Sequence, residues 1–300
     1  MTTTGLHTLR HSAFRIALRH ALGQILQAFN VNKTTWIGIL IFLALILLAA
    51  FASLVAPFNP NAQHIVDRLQ GPSVKYLLGT DQLGRDILSR LLYGARISLL
   101  IGLLSTMLGA FVGSIFGILA GYYGGRFDIV VMQVMDAMLA LPSIILGLLL
   151  VAVLGPTMTN LVIAIAVGLV PSYARIARAP TIGIKNRDFV DACRSMGFSN
   201  ARIMIFHVVP NILPEILVVT SMWLATAIRT EASLAFLGLG VRPPIPTWGG
   251  MVREGFESIL TNPTLAIVPS IAILLVVFSL NLIGDGLRDA VDPKLRGEVA

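Results

Sequence analysis

The sequence predicts an all-α integral membrane protein of about six transmembrane helices, and three observations predict it. Hydrophobic residues fill 56% of the 300 positions and charged residues only 12%, a balance that ordinary soluble domains do not have. Apolar runs recur along the chain. The cleanest, Ile37 to Ala56, carries no charge and matches the roughly 20 residues an α-helix needs to cross a hydrocarbon core. Lys and Arg collect between the runs, so the net charge of +7 reports topology rather than binding of nucleic acid.

The first element is a tail, residues 1–35. Phe14, Leu18, Leu22, Ile25 and Phe29 share one helical stripe there, and Arg15 and Arg19 share another. That pattern suits a helix lying in the cytoplasmic interface with its apolar face in lipid. Residues 36–96 hold the first span and a polar loop from Pro57 to Arg96. The loop ends in "GTDQLGRD", where Gly79 and Gly84 bracket a turn and Asp81, Arg85 and Asp86 are placed to pair structurally. Residues 97–286 hold five further spans, near Ile97–Gly121, Ile129–Leu154, Asn160–Tyr173, Leu213–Leu237 and Leu265–Ile283. Residues 287–300 form a basic tail. Six spans put both ends on one side, and the basic residues of the tails and of the break after span four assign that side to the cytoplasm. The external loop argues the other way, with Arg68, Lys75, Arg85, Arg90 and Arg96.

Several spans carry features of their own. Gly109, Gly113, Gly117 and Gly121 recur every fourth residue, so one helix face is stripped of side chains and a neighbouring backbone can approach closely. Asp136, Arg229 and Glu231 fall at membrane depth, where charge is costly. They either line a translocation path or pair between helices; Arg229 and Glu231, two apart, cannot share a helix face. Pro142, Pro210 and Pro214 kink or end helices by removing a backbone donor. "GLGVRPPIPTWGGM" reads as a rigid external turn, either touching an external protein or forming a re-entrant connection, with Trp248 suited to the interface.

The break from about Ala174 to Pro210 is the long polar interruption. Asp188 and Asp191 lie near a helix start, followed by Ala192 and Cys193, and Gly197 stands just past the end, before Phe198. Acids at the first turn and glycine after the last bound a helix of two to three turns. A second amphipathic stretch, Ala201 to Val209, leads to Pro210. A short capped helix between two spans suits a groove in another protein.

Catalytic chemistry finds no support. His7, His11, His20, His64 and His207 show no metal-ligand spacing and Cys193 is alone, so neither a metal site nor a catalytic residue is assigned. No lysine follows a glycine, so the chain has no Walker A cradle, and no G-x-S-x-G elbow occurs. A secondary transporter or channel is the rival on hydropathy, but it has no need of the capped helix.

"VDACRSMGFSNARIMIFHVVP" resembles the "EAA" loop of ABC-importer permeases, with Asp191, Ala192, Cys193, Gly197 and Pro210 in the motif positions. Asp for Glu and Cys for Ala are departures. "LLGTDQLGRDILSRLLYGARISL", "GYYGG", "EASLAFLGLGVRPPIPTWG" and "NLIGDGLRDAVDPK" are similar, in the same order, to blocks of the dipeptide/oligopeptide (peptide/nickel) permease family. The resemblance implies a type I permease fold in the bacterial inner membrane, with a second homologous permease, two cytoplasmic ATPase subunits and an external solute-binding protein. It implies that ATP and Mg are used by the ATPase partners and that this chain binds no cofactor. The substrate it implies is a dipeptide or oligopeptide, with glutathione or nickel as alternatives.

Overall fold

In a computed structural model of the chain, the structure describes residues 33–291; the stripe from Phe14 to Phe29 and the tail beyond Val291 lie outside them. Among the described residues the regular structure is helical, apart from one isolated bridge between Thr80 and Asp86. The main helices are α1 (Lys33–Ala50), α2 (Ile87–Tyr123), α3 (Gly125–Leu139), α4 (Ser143–Leu154), α5 (Met158–Lys185), α6 (Asp188–Ser195), α7 (Asn200–Leu239), α8 (Trp248–Phe256) and α9 (Thr264–Val291). Helices α2, α5, α7 and α9 are long and apolar enough to cross a membrane, α1 is a shorter apolar helix, and α3 and α4 form a pair bent by 89°.

The glycine contacts give each helix its direction. Along α2, Gly109, Gly113, Gly117 and Gly121 lie against Leu169, Val170, Ala174 and Arg178 of α5 in rising order, so α2 and α5 run parallel. Tight contact follows from the missing side chains: a Cβ on any of the four would press into the α5 backbone or a β-carbon. On this register Met158 is level with about residue 100 of α2, which puts it about 35 Å from Tyr123 at 1.5 Å per residue. The bent pair therefore carries the chain across the whole core, about 30 Å, and is a broken span rather than a re-entrant loop.

The remaining helices alternate. Tyr122 meets Asn200 and Gly102 meets Ile228, so α7 runs antiparallel to α2. Gly284 meets Met222, and Gly38 and Gly286 meet Ser279 and Thr35, so α9 runs back and α1 opposes it. The chain crosses six times, with Lys33 and Val291 both toward the α6 end. The largest core lies between α2, α5 and α7, where Ile101, Leu169, Tyr173 and Ile212 are buried.

Helix boundaries differ from the sequence expectation in three places, and the burial of one residue differs as well. Helix α2 begins at Ile87, ten residues before the expected Ile97, because Asp86 caps it, accepting from the Ser89 N–H at 2.8 Å. Helix α5 continues past Tyr173 to Lys185; its late cations lie on one face, where Arg175 and Arg178 pair with Asp136 and Asp128 of α3 at 2.5 Å. Pro210 and Pro214 sit inside α7 rather than ending it. A wide turn over Met204–Val208 precedes Pro210, the adjustment expected where a backbone donor is missing. The break thus shrinks to residues 186–199, and the stretch Ala201 to Val209 is part of α7. Trp248, expected at the interface, is 1% exposed; its indole N–H donates to Leu91 O at 3.0 Å and its backbone N–H to Ser98 Oγ at 3.1 Å.

At the end away from α6, the loop is stitched by charge. Arg85 donates to Asp81 at 2.6 Å and to Glu254 of α8 at 2.9 Å, and Arg90 donates to Glu254 at 2.8 Å. Lys75 and then Tyr76, both hydrogen-bonded to Asp67 at 2.8 Å, hold its carboxyl below the usual range.

Candidate functional site

Helix α6 is fixed at both ends by its own sequence. Asp188 and Asp191 occupy the first turn, where negative charge favours the positive end of the helix. At the other end the Gly197 N–H donates to Arg194 O at 2.9 Å and the Phe198 N–H to Cys193 O at 3.0 Å. That pair of bonds is the Schellman arrangement, and it requires the left-handed backbone that Gly197 adopts at φ +76°. Ser199 then caps the next helical turn, accepting from the Arg202 N–H at 3.4 Å.

The helix has two faces. Val190 and Cys193 are buried, and Cys193 Sγ lies 3.7 Å from His207 Nε2 on the wide turn of α7. The His207 ring stacks with Phe198 at 6.5 Å between centroids and stands 6.2 Å from Phe189. The Arg202 guanidinium lies over the Phe198 ring, 4.3 Å from its centroid. Arg194 bonds Asp191 at 2.9 Å and rests over Tyr122, the last turn of α2; Tyr122 raises its pKa above the ordinary guanidinium value. The outer face carries Phe189, Ala192 and Met196, all exposed, at a spacing of three and seven that places them on one stripe. Met196 is 64% exposed. An apolar stripe on a short helix outside the membrane core marks a contact surface.

The structure thus brings Asp188, Asp191, Ala192, Cys193, Gly197 and Phe198 into one rigid projection. Pro210 stands apart, half-buried on α7 one residue before Asn211, whose amide donates to His207 O at 2.6 Å. His207, read from the sequence only as lacking metal-ligand spacing, and Met196 were not assigned to the site from the sequence. The signal for Met196 was available, as the third member of an apolar stripe in an otherwise polar segment.

The charges at membrane depth separate. Asp136 pairs with Arg175, and both side chains are more than half exposed. Arg229 is exposed and its guanidinium donates to Thr226 Oγ1 at 3.1 Å. Glu231, expected either to line a path or to pair between helices, is fully buried inside the subunit. It stands beside the Ser98 and Thr247 hydroxyls, which are adjacent but not aligned for a hydrogen bond. The helical step of 100° per residue explains why two charges two positions apart meet such different surroundings.

Among the described residues, no three His, Cys, Asp or Glu gather as metal ligands. The site is a capped projection at one end of the bundle, joined to α2 through Tyr122 and to α7 through His207.

Comparison with known proteins gives the following. Residues 113–297 match the family described as the binding-protein-dependent transport system inner membrane component. Residues 21–72 match the N-terminal transmembrane domain of oligopeptide transport permease C. The chain is 43% identical over 281 residues to the di/tripeptide transport system permease protein DppC of Pseudomonas aeruginosa, covering 92% of this chain and 93% of that one. It is 41% identical to the dipeptide transport system permease protein DppC of Alkalihalophilus pseudofirmus, covering 88% and 87%. It is 43% identical to the glutathione transport system permease protein GsiD of Pectobacterium atrosepticum, covering 86% of each. Among solved structures, the inward-facing MetNI methionine ABC transporter in its native crystal form shares the fold. Its TM-score is 0.54 at 19% identity, over 67% of this chain and 96% of that chain.

Proposed function

The chain belongs to the binding-protein-dependent transport inner-membrane component family, and from that premise we propose that it is the peptide-conducting permease of an ATP-driven importer whose motor docks on α6. The observation that carries this reading is the exposed stripe of Phe189, Ala192 and Met196 on a helix held rigid by its own caps. Such a stripe needs cover from another chain, and a chain without a phosphate cradle needs a partner to hydrolyse ATP.

In this reading the α6 end is cytoplasmic, as are both chain termini, and the Asp81–Arg85–Glu254 end faces an external solute-binding protein. Two cytoplasmic ATPase subunits bind ATP and Mg, one of them against α6, and a second related permease completes the pathway. Closure of the motor moves α6. Tyr122 and His207 pass the movement to α2 and α7, and the α2–α5 contact, which has no side chains to compress, carries it as one body toward the far end. The helix break at residues 140–142 and the proline-bearing turn of α7 supply the places that bend.

Dipeptides and tripeptides are the substrates proposed, after the relatives named for them. Glutathione, itself a tripeptide, is the second reading, and it rests on relatives of equal identity named for glutathione. The test compares uptake of radiolabelled dialanine by cells lacking this chain, cells given it back, and cells given Phe189→Ser with Met196→Ser. Uptake restored only by the unaltered chain, together with ATPase that co-purifies only with it, is the expected result. Dialanine uptake that never depends on the chain, with glutathione uptake that does, selects the second reading. A doubly substituted chain that transports normally and retains the ATPase removes α6 as the docking element.

A further inference from the structure

Midway along its membrane crossing, α7 exposes a guanidinium. Arg229 stands ten residues before Leu239, about 15 Å along the helix, which is half of a hydrocarbon core of about 30 Å. Its hydrogen bond to Thr226 Oγ1 engages one of the five N–H donors of a guanidinium, and among the described residues no carboxylate pairs with it. A cation so placed is too costly to face lipid.

Arg229 instead lines a wide, open groove between α4, α7, α8 and α9. Ile144, Phe236, Leu237 and Ile273 give it apolar walls. Its two serine hydroxyls, Ser233 and Ser270, are committed to backbone carbonyls at 2.9 and 2.7 Å. Thr226, the residue Arg229 touches, lines a cavity of about 230 Å³ at the α3–α4 break, and the first turn of α4 borders both. No Asp or Glu lines either one among the described residues. Spare guanidinium donors, apolar walls and no competing acid fit a small organic anion whose body is apolar.

We propose that Arg229 receives the free carboxylate of the transported peptide at membrane depth, while the apolar walls accept its side chains. The inference rests on the peptide-permease reading above and names the atom group that reading leaves open. Every linear peptide with a free C-terminus presents this group, whatever its side chains, so one arginine serves a broad range of sequences. The contact is a single exposed cation rather than an enclosed cage. A transport path needs that, because the ligand must leave as readily as it arrives. The same chemistry could come from an Asp or Glu of the second permease subunit, and the test separates the two.

The experiment uses the complete complex in proteoliposomes, with binding protein saturated by radiolabelled dialanine, and compares the unaltered chain with Arg229→Gln and Arg229→Lys. Co-elution of all subunits on size exclusion is followed in parallel. Loss of a charge-assisted pair predicts that Arg229→Gln lowers uptake at least about tenfold in a complex that remains intact. Lysine, which keeps the charge without the fork, restores roughly a third of it. Uptake by Arg229→Gln within about twofold of the unaltered chain overturns the proposal. So does loss of the second permease from the Arg229→Gln complex, which gives the carboxylate to that subunit. An unaltered complex that moves neither dialanine nor glutathione overturns the peptide reading itself, and this inference with it.

Discussion

Gly197 sets the length of the projecting helix through a single dihedral. A side chain there would meet no atom within 4 Å, so crowding is not what selects glycine. The selection is by backbone strain, since an L-residue held in the left-handed region costs roughly 1–2 kcal/mol. Gly197→Ala is expected to weaken the end of α6 by about 1 kcal/mol, seen as roughly fivefold faster amide exchange at Phe198. An unchanged exchange rate there would show that the turn tolerates a Cβ. At this scale the sequence was readable where local rules decide: the acids of the first turn and the glycine stop of α6 follow from capping alone. It was silent where partners are distant. Arg90 and Glu254 are 164 positions apart, and nothing near either residue announces the other.

Among the elements, the parallel contact of α2 with α5 is the most constrained. A Cβ on Gly117 would overlap Ala174 O and crowd Ala177 Cβ, whereas Gly183, also on α5, has nothing within 4 Å. Gly117→Val is expected to separate the two helices, costing about 1–3 kcal/mol as overpacking does. Gly183→Ala is expected to stabilise α5 by up to about 1 kcal/mol, the helix-propensity difference. Thermal unfolding of the detergent-solubilised complex checks both, and equal midpoints for the two variants would contradict the contact. The period of four was visible in the sequence, but its partner helix and the parallel sense were not, because a stripped face names no neighbour. Helix ends misled for a related reason. Arg90, Arg175 and Arg178 looked like loop residues, yet each is neutralised by an acid on another helix, so charge density alone could not mark where the helices stop.

For the whole molecule, hydropathy was enough to give six crossings, since the bilayer sets a minimum length for every span. Pro142 marked where the third is broken, but the 89° angle depends on how α3 and α4 pack on α5. Hydropathy could not show that the chain is incomplete by itself, a property that lies in the exposed face of α6. That face has a consequence for cellular economy. Chaperones and proteases act on chains that expose apolar side chains, so on the docking role proposed for α6, Phe189 and Met196 would also mark any copy that lacks a motor. Pulse-chase labelling is expected to give a shorter half-life in cells without the ATPase subunits, lengthened there by Phe189→Ser with Met196→Ser. Equal half-lives with and without the ATPase would reject the idea. With such a tag, the number of importers in a cell follows its scarcest component, and no dedicated regulator has to count them.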